Sequence, residues 1–160
     1  MIPAPGPGAV VLPAAMRAAI VAHAWAEAPN EACGLIVGDR PAADGGRALR
    51  WVPATNEEAS PFRYVIDPDL LYRLLVEMDT TDEVFWAIVH SHTHTPAIPS
   101  PTDLRQAFYP DALYVLVSLD PAEADPATGA ESVRAWRILD GTSHEVEVEV
   151  GVHLEVGPGG

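Results

Sequence analysis

The chain has no lysine, one cysteine and no long apolar run, and each absence narrows what it can be. All nine basic residues are arginine, against 23 aspartates and glutamates, for a net charge of −14. Phosphate backbones are bound by basic surfaces, so nucleic acid is not an expected partner. Without lysine the chain offers no side-chain amine for isopeptide conjugation, and a GC-rich genome, which favours Arg, Ala, Pro and Gly, explains that absence simply. The lone Cys33 rules out an internal disulfide framework and fits a reducing, cytoplasmic setting. No stretch reaches the run of about 18 apolar residues that a membrane helix requires, so no membrane partner is expected. The apolar N-terminal stretch carries Arg17 and lacks a basic leading segment, which argues against a signal peptide.

What is present suits one soluble α/β domain. A chain of 160 residues with 48% hydrophobic content is the size of a single ordinary domain with a real core. Residues 1–11, with Pro3, Pro5, Gly6, Pro7 and Gly8, are expected to form a flexible leader. Residues 12–150 form the domain body, and 151–160 a Gly/Pro tail. Leu12, Met16 and Ile20 step by four and predict a helix from Leu12 to about Ala28. The run ACGLIVG over 32–38 reads as a buried strand, and Ala48–Pro53 as a second. Asp67 and Pro68 fit the N-cap and first turn of a helix that carries Leu70, Leu71, Leu74, Leu75 and Met78. Val84–Val89 and Ala112–Leu119 read as central strands. Ser132–Leu139 and His144–Val150 alternate around Asp140–Gly141, a hairpin signal. Trp25, Trp86 and Trp136 are expected in the core, and Trp51 is undecided.

The chemistry concentrates at the end of the Val84–Val89 strand. His90 and His92 follow it directly, and residues two apart in extended backbone point the same way, about 6.6 Å apart. Two imidazoles can converge from there on one ion at about 2.0–2.1 Å. Ser100-Pro101-Thr102-Asp103 looks like a helix start, so Asp103 alone reads as a first-turn acid and Ser100 alone as an N-cap. The combination His-x-His, seven residues, Ser, two residues, Asp is far more specific. Chance should produce it in fewer than roughly one chain in a thousand of this size.

That pattern resembles the JAMM (MPN+) zinc metallopeptidases. The resemblance spans about Leu12 to Val150 and implies a mixed-sheet domain with flanking helices, laid out like a cytidine deaminase. It implies a zinc ion held by His90, His92 and Asp103. It also requires an upstream glutamate beside the first strand, and Glu31 stands there in Glu31-Ala32-Cys33-Gly34-Leu35-Ile36-Val37-Gly38. By the same resemblance Glu31 is the general base and Ser100 stabilises the tetrahedral oxyanion. Three protein ligands with a fourth position left open are the layout of a catalytic zinc site.

The closer likeness is to actinobacterial hydrolases that release cysteine from a ubiquitin-like sulfur carrier. It is carried by Glu31–Gly38, Thr55–Pro61 (TNEEASP), His90–Asp103 and Asp111–Ser118 (DALYVLVS). The implied partner is a small sulfur-carrier protein ending in Gly-Gly, whose tail would add as a strand beside the active-site sheet. A prokaryotic isopeptidase that removes ubiquitin-like modifiers is the alternative, and a non-catalytic MPN scaffold a third. The compact chain has little room for the insertions of eukaryotic deubiquitinases, which favours a compact substrate. A nucleotide deaminase would need a Cys-x-x-Cys pair, absent here. The resemblance admits a homodimer. His94 is read as a loop residue near the cleft, Cys33 as a buried apolar residue, and His23, His144 and His153 as structural or exposed. The terminal Gly159-Gly160 resembles a substrate end, although such tails are ordinarily unstructured.

Overall fold

The computed structural model describes residues 8–151. The expected tail from 152 onward, with His153 and Gly159-Gly160, and leader residues 1–7 lie outside the described residues.

A six-stranded mixed sheet forms the centre. Its strands are β2 (Cys33–Gly38), β3 (Ala48–Ala54), β4 (Val84–His92), β5 (Leu113–Ser118), β6 (Ser132–Leu139) and β7 (Thr142–Val146), in the order β3-β2-β4-β5-β6-β7. Only β4 and β5 run parallel; every other neighbouring pair is antiparallel. A two-stranded parallel ribbon of β1 (Val10–Pro13) and β8 (Val148–Gly151) lies apart from it. The helices are α1 (Ala14–Glu27), α2 (Pro68–Thr81) and the short α3 (Pro101–Arg105).

The central strands are buried on both faces. On one side Met16, Ile20 and Ala24 of α1 pack with Ile36, Val89, Val115 and Val117. On the other, Leu74 and Met78 of α2 pack with Leu35, Ile88, Tyr114 and Leu116. Strands covered on both faces read as continuous apolar runs, which is how β2 and β5 appear in the sequence. Asp67 caps α2 as expected, accepting a hydrogen bond from the Asp69 N–H at 3.0 Å. The Asp140–Gly141 turn has φ of 51° and 73°, the left-handed pair that a two-residue hairpin loop favours.

Three expectations shift. Helix α1 starts at Ala14 rather than Leu12, because the chain runs extended from Val10 to Pro13 and pairs with β8. Leu12 is buried beside Met16 all the same, so a strand end and a helix start together mimic one helical stripe. The single strand expected over His144–Val150 divides after Val146, and β8 leaves the main sheet for β1. Trp25 is 52% exposed, not core, and its indole N–H donates to the Glu131 carboxylate at 2.8 Å. Trp86 and Trp136 are buried as expected, donating to the carbonyls of Gly46 and Ala97.

Gly34, in the middle of the Glu31–Gly38 run, lies against Trp51 of β3. A Cβ there would collide with the indole ring and stand 2.7 Å from the Val52 carbonyl oxygen. Gly34→Ala is therefore expected to lower the unfolding free energy by about 1–3 kcal/mol, read as a lower midpoint in urea. A loss below about 0.5 kcal/mol would mean that Trp51 swings clear without cost.

Candidate metal centre

The site is assembled where β4 ends. His90 and His92 are the last alternate residues of that strand and project from the same face as Ile88, toward the side covered by α2. Cys33 pairs with His90 across β2 and β4, so continuing that antiparallel register sets Glu31 opposite His92. The Ala32 and Ser91 backbones extend the pairing, with the Ser91 N–H donating to the Ala32 carbonyl at 3.0 Å. Ser91 Oγ also accepts the Ala32 N–H at 2.8 Å, fastening the strand entrance that carries Glu31. Two parallel strands need a crossover between them. The crossover from β4 to β5 brings Ser100 and Asp103 back over the histidines.

Ser100 and Asp103 form a reciprocal capping box at the start of α3. Ser100 Oγ accepts from the Asp103 N–H at 3.1 Å, and Asp103 Oδ2 accepts from the Ser100 N–H at 2.8 Å. Both readings of Asp103 thus hold together: it is a first-turn acid, and it faces the histidines. Its Oδ2 lies 3.1 Å from His92 Nε2 and 3.2 Å from His90 Nε2. Glu31, His90 and His92 each place one donor atom within 4.8 Å of the others. All five residues singled out in the sequence are therefore brought together.

The cluster is desolvated and incompletely paired. Glu31 is 3% exposed and His90 1%. Glu31 Oε1 and both ring nitrogens of His90 are buried without a hydrogen-bond partner. His90 Nε2 is close to Asp103 Oδ2 but out of line for a hydrogen bond. Buried polar atoms are rarely left this way, and each orphan needs a reason. A divalent cation would supply one here: two imidazoles and carboxylates are a donor set suited to zinc.

The tautomer of His92 supports the same fit. Its Nδ1 lies 2.7 Å from the Pro96 carbonyl, which can only accept, so Nδ1 carries a proton. In the neutral ring Nε2 then has a bare lone pair facing the Asp103 carboxylate at 3.1 Å. That contact is favourable only with a proton on Nε2 or a cation between the two groups. The shifts in pKa follow. Burial lowers that of His90. For His92 burial works the same way, but the Asp103 carboxylate and the Pro96 carbonyl outweigh it and raise its pKa. Asp103 is buried too, yet the two imidazoles and the Ser100 N–H hold it far below the usual carboxylate range. Burial lifts Glu31 to about 8, with His92 opposing and Asp103 adding to the rise.

A cleft of about 160 Å³ opens onto these groups, lined by Glu31, Pro61, Phe62, His92, Thr93, His94, Thr95 and Ser100. His94 is exposed on its wall, as expected. A larger aromatic groove of about 240 Å³ lies behind Tyr64, with Ile88, Phe108 and Tyr109, and holds no cluster of metal-binding groups. Tyr64 stacks on His90 with ring centroids 4.3 Å apart and planes 22° apart. Neither Tyr64 nor the Pro96 carbonyl was expected at the site. Tyr64 had no signal beyond its place in a loop, and a backbone carbonyl has no sequence signature. Cys33 is buried and its thiol pushed up to about 12, first by burial and then by nearby carboxylates, which leaves it a poor nucleophile. His23 bonds the Cys33 carbonyl at 3.1 Å and packs edge-on against Trp51. His144 is exposed on β7.

Fold and site define a class. The chain belongs to the prokaryotic homologs of the JAB domain (Prok-JAB), whose pattern it matches over residues 13–139. Among relatives, a CysO-cysteine peptidase of Mycobacterium tuberculosis is 40% identical over 142 residues, covering 88% of this chain and 90% of that protein. A probable TtuB-protein conjugate cleaving protease of Thermus thermophilus is 35% identical over 104 residues, covering 64% of this chain and 66% of that one. The solution structure of the Desulfitobacterium hafniense protein DSY2949 superposes with a TM-score of 0.74 at 32% identity, covering 91% of this chain and 95% of that one.

The buried Glu31 gives the metal-free protein a defined pH dependence. In the unfolded chain its carboxyl ionises near the ordinary 4.5, whereas the folded protein holds the proton to about 8. Between those values the folded state binds more protons, so stability falls as pH rises. His92, with its raised pKa, acts in the same direction, while the Asp103 contribution is fully present above its ordinary 3.8. In chelator, Glu31→Gln is expected to flatten the decline between pH 5 and 8, gaining a few kcal/mol over wild type at pH 8. Urea midpoints at the two pH values measure this. Parallel curves for both proteins would place the Glu31 carboxyl in water.

Proposed function

We propose that this chain is a zinc-dependent peptidase that hydrolyses the bond after the C-terminal glycine of a ubiquitin-like sulfur carrier, releasing cysteine. The observation that carries the proposal is the buried convergence of an unpaired Glu31 carboxyl oxygen, two histidines and Asp103, with Glu31, His92 and Ser100 lining one cleft. The similarity to a CysO-cysteine peptidase over most of both chains supports the substrate class. Support for zinc itself comes from the donor chemistry.

His90, His92 and Asp103 would hold the ion. When bound, zinc would polarise the scissile carbonyl and make water a nucleophile at neutral pH. The rest falls to side chains already in place. Asp103 stays ionised throughout the neutral range because two imidazoles and the Ser100 N–H favour its charged form. His92, with Nδ1–H committed to Pro96, presents Nε2 to the centre. Glu31 is the proton acceptor, and a cation beside it would lower its raised pKa into the working range of a general base. Ser100 Oγ receives the Asp103 N–H, so its own hydroxyl proton remains free to donate toward an oxyanion in the cleft.

The cleft itself favours a glycine-ended substrate. Its volume of about 160 Å³ and the flanking Phe62 suit a bare backbone better than a bulky side chain. Strand addition beside the histidine strand is not available, however. β4 is paired on both sides, and the free edges of the sheet are β3 and β7. The tail would instead cross the strand end, running through the cleft between Phe62 and His94.

A second reading, cleavage of protein–protein isopeptides, draws on the similarity to the conjugate-cleaving protease. One assay separates the two. Incubated with a carrier extended by a single cysteine after Gly-Gly, the zinc-loaded protein is expected to remove one cysteine residue mass. Chelator should abolish this, and Glu31→Gln should slow it about 10²–10⁴-fold. Inert carrier together with cleavage of a lysine-linked conjugate would move the assignment to the isopeptidase. Failure on both, with no zinc bound, would leave a scaffold.

A further inference from the structure

The segment Thr55–Pro61 belongs to the likeness read from the sequence but supplies no group to the metal centre. We propose that Asn56 within it is a positioning residue that fixes Glu31, and the loop stacked over His90, in one arrangement. The inference rests on the reading of Glu31 as the proton acceptor.

Asn56 is 8% exposed and uses its whole amide. Nδ2 donates to the Glu31 carbonyl at 3.0 Å and to the Arg63 carbonyl at 3.0 Å. Oδ1 accepts the Glu58 N–H at 3.1 Å and the Val65 N–H at 3.0 Å. A primary amide has two donors and two acceptor lone pairs, so nothing is left unsatisfied. One side chain thus joins the backbone of the proposed base to both limbs of the loop over residues 56–66. That loop is closed at its base by the Asn56–Ile66 bridge and by the Glu57 N–H donating to the Val65 carbonyl.

Each site element on this loop is held through that junction. The Ser60 carbonyl accepts the Glu31 N–H at 2.8 Å, so Glu31 is tied to the loop through both of its backbone polar groups. Pro61 and Phe62 wall the cleft, and Tyr64 stacks on His90. On the far side Ser91 holds Ala32. Glu31 lies just before β2, outside the regular ladder, so without the Asn56 tie only its N–H bond to the Ser60 carbonyl would join it to the loop. Its carboxyl Oε1 is bonded to nothing, so no hydrogen bond at that atom returns it to place.

The test is a pair of variants. Asn56→Ala removes all four bonds. Asn56→Asp keeps the two acceptors but loses both donors, and turns a carboxylate toward two carbonyls. Ile138→Val, a core change on β6, serves as a stability control. Both Asn56 variants are expected to bind metal as wild type does and to lower kcat about 10²-fold, the scale of loss when a catalytic group is misplaced by about 1 Å. KM should move far less. In metal-free Asn56→Ala, amide hydrogen exchange should lose protection at Glu31, Glu58 and Val65 but not at Leu116 or Ala135, whereas Asn56→Asp should lose it at Glu31. An unchanged kcat overturns the proposal. So does a loss of protection spread evenly over the sheet, or a fall in kcat no larger than that of Ile138→Val at equal stability. If wild type cleaves no carrier, the functional reading fails. The tie is then judged by exchange alone, and retained protection at Glu31 in Asn56→Ala overturns it.

Discussion

The parallel pairing of β4 with β5 is the constraint on which the site depends. A hairpin would have sent the chain straight back beside His92, with no intervening segment. Parallel neighbours instead require a long connection, here the twenty residues from Thr93 to Ala112 between the two strands. That connection leaves β4 at its C-terminal end, where open sheets place their sites. It also contains the Pro96 carbonyl that sets the tautomer of His92, the Ser100–Asp103 cap, and Ala97, whose carbonyl is anchored by Trp136. Anchoring at both ends of the crossover gives Asp103 a fixed place above the histidines rather than a mobile one on a surface loop.

Convergence of this kind costs the metal-free protein stability. Glu31 and His90 lie in a desolvated pocket with orphaned polar atoms, and a buried unpaired polar group costs about 1–3 kcal/mol. That cost is offset by a sheet core covered on both faces by helices, and a cation held by these donors would recover part of it. The capping box at Ser100 is efficient in this respect. One of the bonds that start α3, from the Ser100 N–H, also helps the two imidazoles hold the Asp103 carboxylate ionised, so it serves folding and electrostatics together. The same Ser100 Oγ only accepts in that cap, which leaves its hydroxyl proton uncommitted.

Legibility in the sequence followed how local each feature is. His90 and His92 were readable because a strand of period two fixes their side from two positions alone. Ser100 and Asp103 were readable as a helix start from local grammar, and as site residues only through their spacing from the histidines and the family likeness it carries. Glu31 was not readable from its surroundings, since its partners are 59 and more residues away across β4; only family likeness singled it out. Leu12 shows the limit of periodicity. It is buried in the cluster of Met16 and Ile20, as the stripe required, but from a strand, since Pro13 changes the backbone without moving the apolar side. The break after Val146 was hidden for a related reason: alternation tells which face of a strand is buried, not which strand it pairs with. Trp25 was misplaced because composition favours burial of tryptophan, while the helix buries the 16, 20, 24 stripe and leaves position 25 outside it.

Apart from Tyr64, which stacks on His90, the site contacts that the sequence hid run through backbone. Pro96 contributes a carbonyl, Ser91 grips the Ala32 peptide, and Asn56 grips the peptides of Glu31, Glu58, Arg63 and Val65. Any residue type has those peptide groups, so the partner leaves no trace in composition. What remains visible is the demand on the gripping side chain. A serine between two histidines must both accept and stay small, and a buried junction of two donors and two acceptors admits asparagine and little else. A glutamine would reach too far, and an aspartate would bring a charge and lose both donors. The polar residues of TNEEASP are therefore not a solvated loop alone; one of them is the interior fastening of the site.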